Sequence, residues 1–294
     1  MFQLIGEHMQ ERPSARAKDL CVLVEGVGLS RSSFYRYSKT GLEGTKSVAE
    51  VELRDAIQRV ALEWPTYGYR MITAELARRG ITANHKRVLR LMHEDNLLCL
   101  RQRSFIATTD SDHSHRIYPN LAAKMVPTNI NQLWVADITY IRLLREFVYL
   151  AVILDAFSRR CIGWALGRRL TADLALAALQ LAIETRRVPK GLIHHSDRGA
   201  QYASDSYTGL LNQHGILISM SRKGNPYDNA KAERFIRTLK YEQVYLSDYE
   251  TMTEIRNDIG RFIDQVYNQK RLHSSIGYLP PAEFEQSLVT QLCS

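Results

Sequence analysis

The stretch from Leu133 to Leu166, LWVADITYIRLLREFVYLAVILDAFSRRCIGWAL, decides the fold of this chain. It contains three runs rich in β-branched and aromatic residues, at 133–143, 147–154 and 161–166. Such runs predict β-strands, and the middle run is apolar enough to be buried on both faces of a sheet. Because the connections between the runs are short, we expect three successive strands that form a meander.

The sequence after this meander alternates between helical and strand patterns. We predict an alanine-rich helix over 171–184, a short strand over 191–195, a helix over 204–214 and a strand over 216–220. The resulting order, βββαβαβ, is that of a ribonuclease-H-like domain, an α/β fold whose mixed sheet carries helices on both faces. Strand and helix alternation alone also permits other α/β folds.

The sequence before the meander is helical. Residues 14–39 read as a helix, a glycine-containing turn and a second short helix that Ser30 caps, which is the pattern of a helix-turn-helix. An amphipathic helix from Val48 to Trp64 ends at Pro65, and two further helices follow, one through Leu76 and one over 82–96. The predicted domains are a helix-turn-helix-like module over 1–45, a second helical DNA-binding module over 46–100, a polar linker over 101–125, and a catalytic core with a C-terminal helical extension over 126–294.

The composition narrows the class of protein. Hydrophobic residues make up 45% of the 294 positions, which excludes a wholly disordered chain. Lys and Arg number 39 against 31 Asp and Glu, and the net charge of +8 favours a polyanionic partner. The four cysteines are scattered, so we expect neither a disulfide framework nor a structural zinc site. With no membrane-length apolar run and no recognisable secretory signal, we expect a cytoplasmic protein.

Three acidic residues stand where this topology would bring them together. Asp137 lies in mid-strand between apolar residues, where a carboxylate needs a partner. Asp197 follows a predicted strand directly, and Glu233 lies on a predicted helix. Carboxylates from neighbouring strands and one helix can hold two hard divalent cations and promote in-line phosphodiester displacement. Each acid taken alone also fits a cap, a salt bridge or a solvated edge.

The segments around these acids resemble a known family. They read Trp134-x-x-Asp137-Ile-Thr-Tyr, His195-Ser-Asp197-Arg-Gly-x-Gln-Tyr202, and Asn225-Pro-x-Asp228-Asn-Ala-x-x-Glu233-x-Phe. Together they resemble the DDE core of retroviral-integrase-type transposases, and more narrowly the second-frame (OrfB) transposases of the insertion-sequence-three family. Further stretches agree with that family: Leu154-Asp-x-Phe-Ser-Arg159, Tyr267-Asn-x-x-Arg271-x-His273-Ser, Tyr67-Gly-Tyr-Arg and Asn84-x-Lys-Arg-Val-x-Arg. The resemblance covers nearly the whole chain.

The resemblance implies a function and a set of partners. It implies that Asp137, Asp197 and Glu233 are the catalytic acids and metal ligands, with Mg²⁺ as cofactor, a two-metal arrangement, and Mn²⁺ able to replace it. The implied enzyme binds the ends of its own bacterial insertion sequence, cleaves one strand with water, and joins the 3′-hydroxyl to target DNA. Implied partners are a homo-oligomer on DNA and the upstream-frame helix-turn-helix protein. A ribonuclease-H-like nuclease or resolvase, and a non-catalytic DNA-binding regulator, stay open as alternatives.

Five basic residues are predicted DNA contacts: Arg87, Arg90, Arg237, Lys240 and Arg271. Arg87 and Arg90 lie on a predicted helix of the second module, where a solvated helix face is the alternative. On an ideal helix Arg237 and Lys240 share the face of Glu233, although Arg237 is also placed for an i,i+4 ion pair with Glu233. Arg271 belongs to the C-terminal segment.

The remaining polar residues near the acids are predicted to support them. We expect Asp155 to cap a turn or form an ion pair, Asp228 and Asn229 to cap the helix of Glu233, and His194 and His195 to act as supporting residues. The arginine pairs 159/160, 168/169 and 186/187 fit either a basic tract or solvated charge. Tyr267 and His273 fit DNA contact, although Tyr267, like Phe284, equally fits an anchor of the last helix to the core.

Overall fold

A computed structural model describes residues 48–97, 116–123, 125–222 and 229–292 of the chain. The predicted helix-turn-helix module over 1–45, most of the predicted linker and Asp228 lie outside the described residues. The structure therefore addresses the second helical module and the predicted catalytic core.

A five-stranded mixed sheet forms the centre of the core. Its strands are β1 (Leu133–Arg142), β2 (Phe147–Asp155), β3 (Cys161–Gly167), β4 (Ile193–Ser196) and β5 (Leu217–Met220), in the spatial order β3-β2-β1-β4-β5. The first three strands are antiparallel neighbours, whereas β4 runs parallel to β1 and β5 runs parallel to β4. The predicted meander and the predicted mixed sheet are confirmed.

Helices surround this sheet and precede it. They are α1 (Val48–Glu63), α2 (Tyr69–Arg78), α3 (His85–Glu94), α4 (Ala172–Thr185), α5 (Ala200–Ala203), α6 (Asp205–Gln213), α7 (Ala230–Glu242), α8 (Met252–Arg261) and α9 (Pro281–Leu292). A π-helical turn, Phe262–Tyr267, continues α8, and single 3₁₀ turns occupy Val244–Leu246 and Ser274–Ile276. Helix α5 was absent from the sequence prediction because one turn is too short to show a 3.6-residue period.

Each face of the sheet buries its own apolar cluster, because side chains alternate along the strands. On one face, Val135 and Leu150 pack with Phe235 of α7. On the other face, Trp134 and Leu179 belong to a cluster that α4 and α6 complete. Helices thus cover both faces of the sheet, as the apolar middle strand predicted, although Phe147 and Leu217 at strand ends stay exposed.

A close approach between β3 and α4 depends on Gly163. A Cβ atom at this position would lie 2.2 Å from the main-chain oxygen of Ala178 and 2.9 Å from the Cβ of Ala182. These separations are shorter than any van der Waals contact, so only glycine lets α4 lie directly on the strand.

The helices α1 to α3 share a third apolar cluster that also contains a residue of the core. Ile57, Ile72 and Leu91 are fully buried in it, and so is Leu272 from the segment before α9. The Leu272 N–H donates to the Tyr67 hydroxyl at 2.8 Å. The helical module is therefore docked on the core through apolar packing and a buried hydrogen bond.

None of the helices in the described ranges is both long enough and apolar enough to cross a lipid bilayer.

Candidate active site

The register of two parallel strands brings Asp137 and Asp197 together. Val135 of β1 lies opposite His195 of β4; Asp137 follows two residues later within β1, and Asp197 follows two residues later just past the end of β4. Parallel neighbours lie about 4.8 Å apart, so Asp137 in the middle of β1 lies beside the point where the chain leaves β4 at Asp197. Burial and, after it, the charge of Asp197 raise the pKa of Asp137 well above its ordinary value.

Glu233 lies on α7, whose start Asn229 ties to β1, but the described residues contain no group of three His, Cys, Asp or Glu side chains close enough to hold a metal ion. The Asn229 side-chain amide donates to the main-chain oxygen of Ala136, the residue before Asp137, at 2.9 Å. The charge of Glu233 is a further cause of the raised pKa of Asp137, which places the third acid within electrostatic reach of the first. The Glu233 side chain itself is exposed, and partial desolvation raises its pKa.

The capping role predicted for Asn229 is wrong. The Asn229 side chain makes no cap to α7: its amide donates to β1, and its Oδ1 has no hydrogen bond among the described residues. Its main-chain oxygen instead accepts from the N–H groups of Ala232 and Glu233, at 3.1 and 3.2 Å. Asn229 therefore fixes the position of α7 relative to β1.

A tight turn after β4 holds the Asp197 carboxylate. The Gly199 N–H donates to Asp197 Oδ1 at 2.9 Å. A Cβ at position 199 would lie 2.8 Å from the side-chain oxygen of Gln201 and 3.1 Å from Asp197 Oδ1, so a larger residue would displace these side chains. Arg198 fastens the turn to the end of β5, where its Nε donates to the Ser221 oxygen at 2.8 Å.

The two histidines of β4 are buried and hydrogen-bonded within the sheet layer. His194 Nε2 lies 2.9 Å from the Tyr207 hydroxyl, and His195 Nδ1 lies 2.8 Å from the Ser219 hydroxyl. Burial lowers the pKa of His194 to about 3, so its imidazole is neutral. These contacts agree with the supporting role predicted for both residues.

Lys240 and Arg237 lie beside the acids on α7. Lys240 Nζ is 4.8 Å from the ring centroid of Tyr140 on β1. Partial burial lowers the pKa of Lys240, while the charge of Asp137 acts in the opposite direction. The Arg237 guanidinium lies over the ring of Tyr241 at 5.5 Å. Among the ion pairs of the described residues there is none between Arg237 and Glu233, so the predicted ion-pair alternative has no support.

Arg87 and Arg90 lie on α3, in the helical module. Their side chains are 40% and 50% exposed, and both contact Glu50 of α1, at 3.5 and 3.3 Å. Arg90 also pairs with Glu94 at 2.7 Å. Exposed pairs of this kind contribute little stability, which leaves both guanidinium groups accessible to another anion.

Arg271 lies at the contact between the core and the helical module. Its Nε and Nη2 donate to the two carboxylate oxygens of Glu242 at 2.7 Å each, and Nη1 donates to the Leu272 oxygen at 3.1 Å. The Arg271 side chain is only 15% exposed. Because its donors are used inside the protein, this geometry argues against the DNA contact predicted for Arg271.

The other basic and acidic residues near β2 are largely structural. Asp155 is fully buried and accepts the N–H groups of Asn131, Phe157 and Ser158, which confirms its turn-capping role. The arginine pairs do not form one tract, because several members have carboxylate partners: Arg160 and Arg186 bind Glu285 at 2.7 and 2.6 Å, and Arg168 binds Glu146 at 3.2 Å. Phe284 packs on Phe157, with centroids 5.4 Å apart, which agrees with its anchoring role.

Two contributors to the site were missed in the sequence. The bond from Asn229 to Ala136 joins residues far apart in the chain, and an Asn before a helix resembles a cap by its local pattern. Tyr140, whose ring lies under Lys240, looks in the sequence like any other residue of a predicted strand. Neither residue carries a local signal, because both roles depend on the tertiary approach of α7 to β1.

The chain matches known protein families over most of its length. Residues 127–226 and 214–281 each match a family described as "Integrase core domain", and residues 49–105 match "HTH-like domain". The chain is also similar to the solved catalytic core domain of BIV integrase, at 22% identity with a TM-score of 0.43, over 56% of this chain and 99% of that one.

Its curated relatives belong to bacterial insertion elements. The chain is 39% identical over 261 residues to the "Insertion element IS600 uncharacterized 31 kDa protein" of Shigella sonnei. This match covers 88% of this chain and 96% of the relative. It is 37% identical over 220 residues to "Transposase InsF for insertion sequence IS3A" of Escherichia coli K12, over 74% and 76% of the two chains. These matches favour the transposase over the nuclease and regulator alternatives. Given this identity over nearly the full length of a relative, the chain belongs to the bacterial insertion-sequence transposases of the insertion-sequence-three (IS3) family, enzymes of the DDE transposase and integrase type with a ribonuclease-H-like core.

Proposed function

We propose that Asp137, Asp197 and Glu233 are the catalytic acids with which this transposase cleaves and joins DNA at the ends of its element. The observation that carries the proposal is the parallel register of β1 and β4, which places Asp137 beside Asp197. The bond from Asn229 to the strand then directs α7, and with it Glu233, toward the same edge.

The chemistry of these residues fits a divalent metal. Three carboxylates supply oxygen ligands, which Mg²⁺ and Mn²⁺ accept. The charges of Asp197 and Glu233 each raise the pKa of Asp137 by more than the charge of Lys240 lowers it. A bound cation would therefore relieve repulsion among the three acids. When bound, a pair of Mg²⁺ ions supplies activation of the attacking oxygen and stabilisation of the leaving oxygen.

The residues of the chain then have separate tasks. Asp137 and Asp197 are fixed by the sheet, so the ligand geometry is set before DNA binds. Lys240 and Arg237, on the same helix face as Glu233, bind phosphate oxygens next to the bond that breaks. Water attacks in the cleavage step and the freed 3′-hydroxyl attacks in the joining step, so no side chain has to form a covalent intermediate.

Recognition of DNA ends belongs to the helical part of the chain. Arg87 and Arg90 lie on the exposed side of α3, where they contact DNA once the helix enters a groove. The enzyme acts as a homo-oligomer on DNA in the bacterial cytoplasm, with element ends and target DNA as substrates. The upstream-frame helix-turn-helix protein, as a fusion or a partner, completes end recognition.

Mapping of reaction products tests this proposal. We expect the protein, incubated with labelled element-end duplex and Mg²⁺, to produce nicks at the ends and joined products. Asp137→Asn, Asp197→Asn and Glu233→Gln should each abolish both products, because both steps use the same ligands. Glu184→Gln, at an exposed position of α4, is the matched control. Near wild-type joining by any one of the three variants would show that its acid is misassigned.

A further inference from the structure

A contact between β1 and α7 places an aromatic ring next to a basic side chain near the proposed catalytic acids. Lys240 Nζ lies 4.8 Å from the ring centroid of Tyr140. Tyr140 follows Asp137 by three residues on β1. Lys240 follows Glu233 by seven residues on α7, which is close to two helical turns. At about 3.3 Å per strand residue and about 1.5 Å per helix residue, the contact lies roughly 10 Å beyond the acids along both elements.

Phe147 extends this contact to the protein surface. It is the first residue of β2, and its ring packs edge-on against the Tyr140 ring, with the two centroids 5.7 Å apart. Tyr140 is half-buried, whereas Phe147 is 50% exposed. The Tyr140 ring thus restrains the orientation of Phe147, while half of the Phe147 side chain stays open to solvent.

The surface around Phe147 carries an excess of basic residues. Arg142 lies directly opposite Phe147 across the two strands, and Arg145 lies in the connection between them. Both arginines are exposed. Glu146, the acid that precedes Phe147, pairs with Arg168 at 3.2 Å. The positive charge that this leaves beside the exposed ring complements the phosphates of a nucleic acid strand.

Aromatic rings also accompany the other basic residue that is proposed to bind phosphate on α7. The Arg237 guanidinium lies 5.5 Å from the ring centroid of Tyr241, and Tyr241 packs edge-on against Tyr245 at 5.5 Å. Tyr245 is 50% exposed. Aromatic rings interleaved with basic side chains are typical of surfaces that bind single-stranded nucleic acid, because the rings stack on bases while the cations bind the backbone.

We propose that Phe147 stacks on an unpaired base of the DNA strand that reacts, while Lys240 binds a phosphate of the same strand. Tyr140 is the positioning residue between them, because its ring contacts both. A paired base already stacks on its neighbours, so an aromatic ring accepts a base only where the duplex is open. Tyr140 and Phe147 lie roughly 10–17 Å from Asp137 along the strands, which is about three to five nucleotides at about 3.4 Å per step. The assignment rests on DNA as the proposed substrate, but not on the roles of the three acids.

The first test compares two element-end duplexes in Ca²⁺, which supports binding with little chemistry. One duplex is fully paired, and the other has a stretch of mismatches next to the cleavage point. We expect the wild type to bind the opened duplex at least about fivefold more tightly, which is the effect of one stacked base. Phe147→Leu, which keeps an apolar side chain without a ring, should lose this preference, and Phe147→Trp should keep it. Leu217→Ala, at a strand end with 47% exposure, is the control and should match the wild type.

The outcomes separate this proposal from the proposed function. Equal binding of the two duplexes by the wild type, or an unchanged preference in Phe147→Leu, would overturn the stacking role alone. Failure of the wild type to bind either duplex would remove DNA as the substrate, and both proposals with it. Because these readouts need no catalysis, a misassigned acid does not affect them.

A fluorescent base reports on the stacking itself. We expect 2-aminopurine, placed in turn at each opened position, to be quenched at one position when the wild type binds, because an aromatic ring then covers the base. The quench should be lost in Phe147→Leu, weakened in Tyr140→Leu and kept in Tyr140→Phe, which retains the ring under Lys240. The same quench in Phe147→Leu would overturn the proposal. A smaller oligomer of Phe147→Leu in sedimentation, with the quench unchanged, would assign Phe147 to a contact between copies of the chain and would overturn it as well.

Discussion

Replacing Glu242 with Gln should destabilise the protein strongly without removing a DNA contact. The Glu242 carboxylate accepts both bonds from the Arg271 fork and a bond from the Thr66 hydroxyl of the helical module. The variant leaves the Arg271 guanidinium facing a neutral amide. The Arg271 guanidinium also lies 5.8 Å from the ring centroid of Tyr67, so the perturbation reaches the contact between the module and the core.

The burial of the pair sets the magnitude. The side chains of Arg271 and Glu242 are 15% and 8% exposed, so water solvates neither charge well. Removing one partner of a buried pair costs about 3–5 kcal/mol, and we expect about 2–4 kcal/mol here because Arg271 keeps some exposure and its bond to the Leu272 oxygen. A change of this size is a large fraction of the stability of an ordinary domain.

Urea unfolding and DNA binding, measured on the same variants, decide between the two roles of Arg271. We expect Glu242→Gln and Arg271→Gln to lower the free energy of unfolding, and the double variant to lose clearly less than the sum of the single losses. Under conditions where the variants stay folded, DNA affinity and its salt slope should be unchanged. Wild-type stability together with a smaller salt slope for Arg271→Gln would refute this reasoning and restore the predicted DNA contact.

Three further predictions concern the acids and the domains. The pKa of Asp137 is raised in the folded state, so folding is favoured while this carboxyl is protonated, and that stability is lost as pH rises from the unfolded-state pKa through the folded-state pKa. Asp137→Asn should therefore raise the free energy of unfolding of the metal-free protein at neutral pH and remove this pH dependence. In thermal unfolding, Mg²⁺ should stabilise the wild type but not Asp137→Asn. In product assays Mn²⁺ should support joining, whereas full activity in Ca²⁺ would contradict the proposed metal site. A fragment of residues 126–294 should retain joining on pre-nicked DNA and lose preference for element ends. It should unfold at a lower urea concentration than residues 46–294, because Leu272 loses its apolar cover and its hydrogen bond to the Tyr67 hydroxyl. Equal unfolding midpoints would show that the docked helical module contributes no stability.

The elements of the core could be predicted because their signals are local. The apolar run that became β2 is buried over its last six residues, as its composition indicated. Asp137 stood out because a carboxylate amid buried strand residues is costly without a function. The order of the strands then placed Asp197 on the same edge, although the distances and the register required the folded chain.

Long-range contacts could not be predicted in this way. Arg271 in the C-terminal segment looks like a free basic residue, and nothing near it in the sequence indicates Glu242 as its partner. In the same way the arginine pairs looked alike, yet Arg160 binds Glu285, whereas Arg159 has a buried Nε without a hydrogen bond among the described residues. An ion pair depends on which side chains the fold brings together, and a single sequence does not contain that information.

Helix α7 connects the chemistry with both of its neighbours. One side of the helix carries Glu233, and the buried side, with Phe235 and Leu239, packs on the sheet. The last residue of the helix, Glu242, binds Arg271 and contacts Thr66 of the helical module. Glu242 therefore joins the helix that carries Glu233 to the helical module as well as to Arg271.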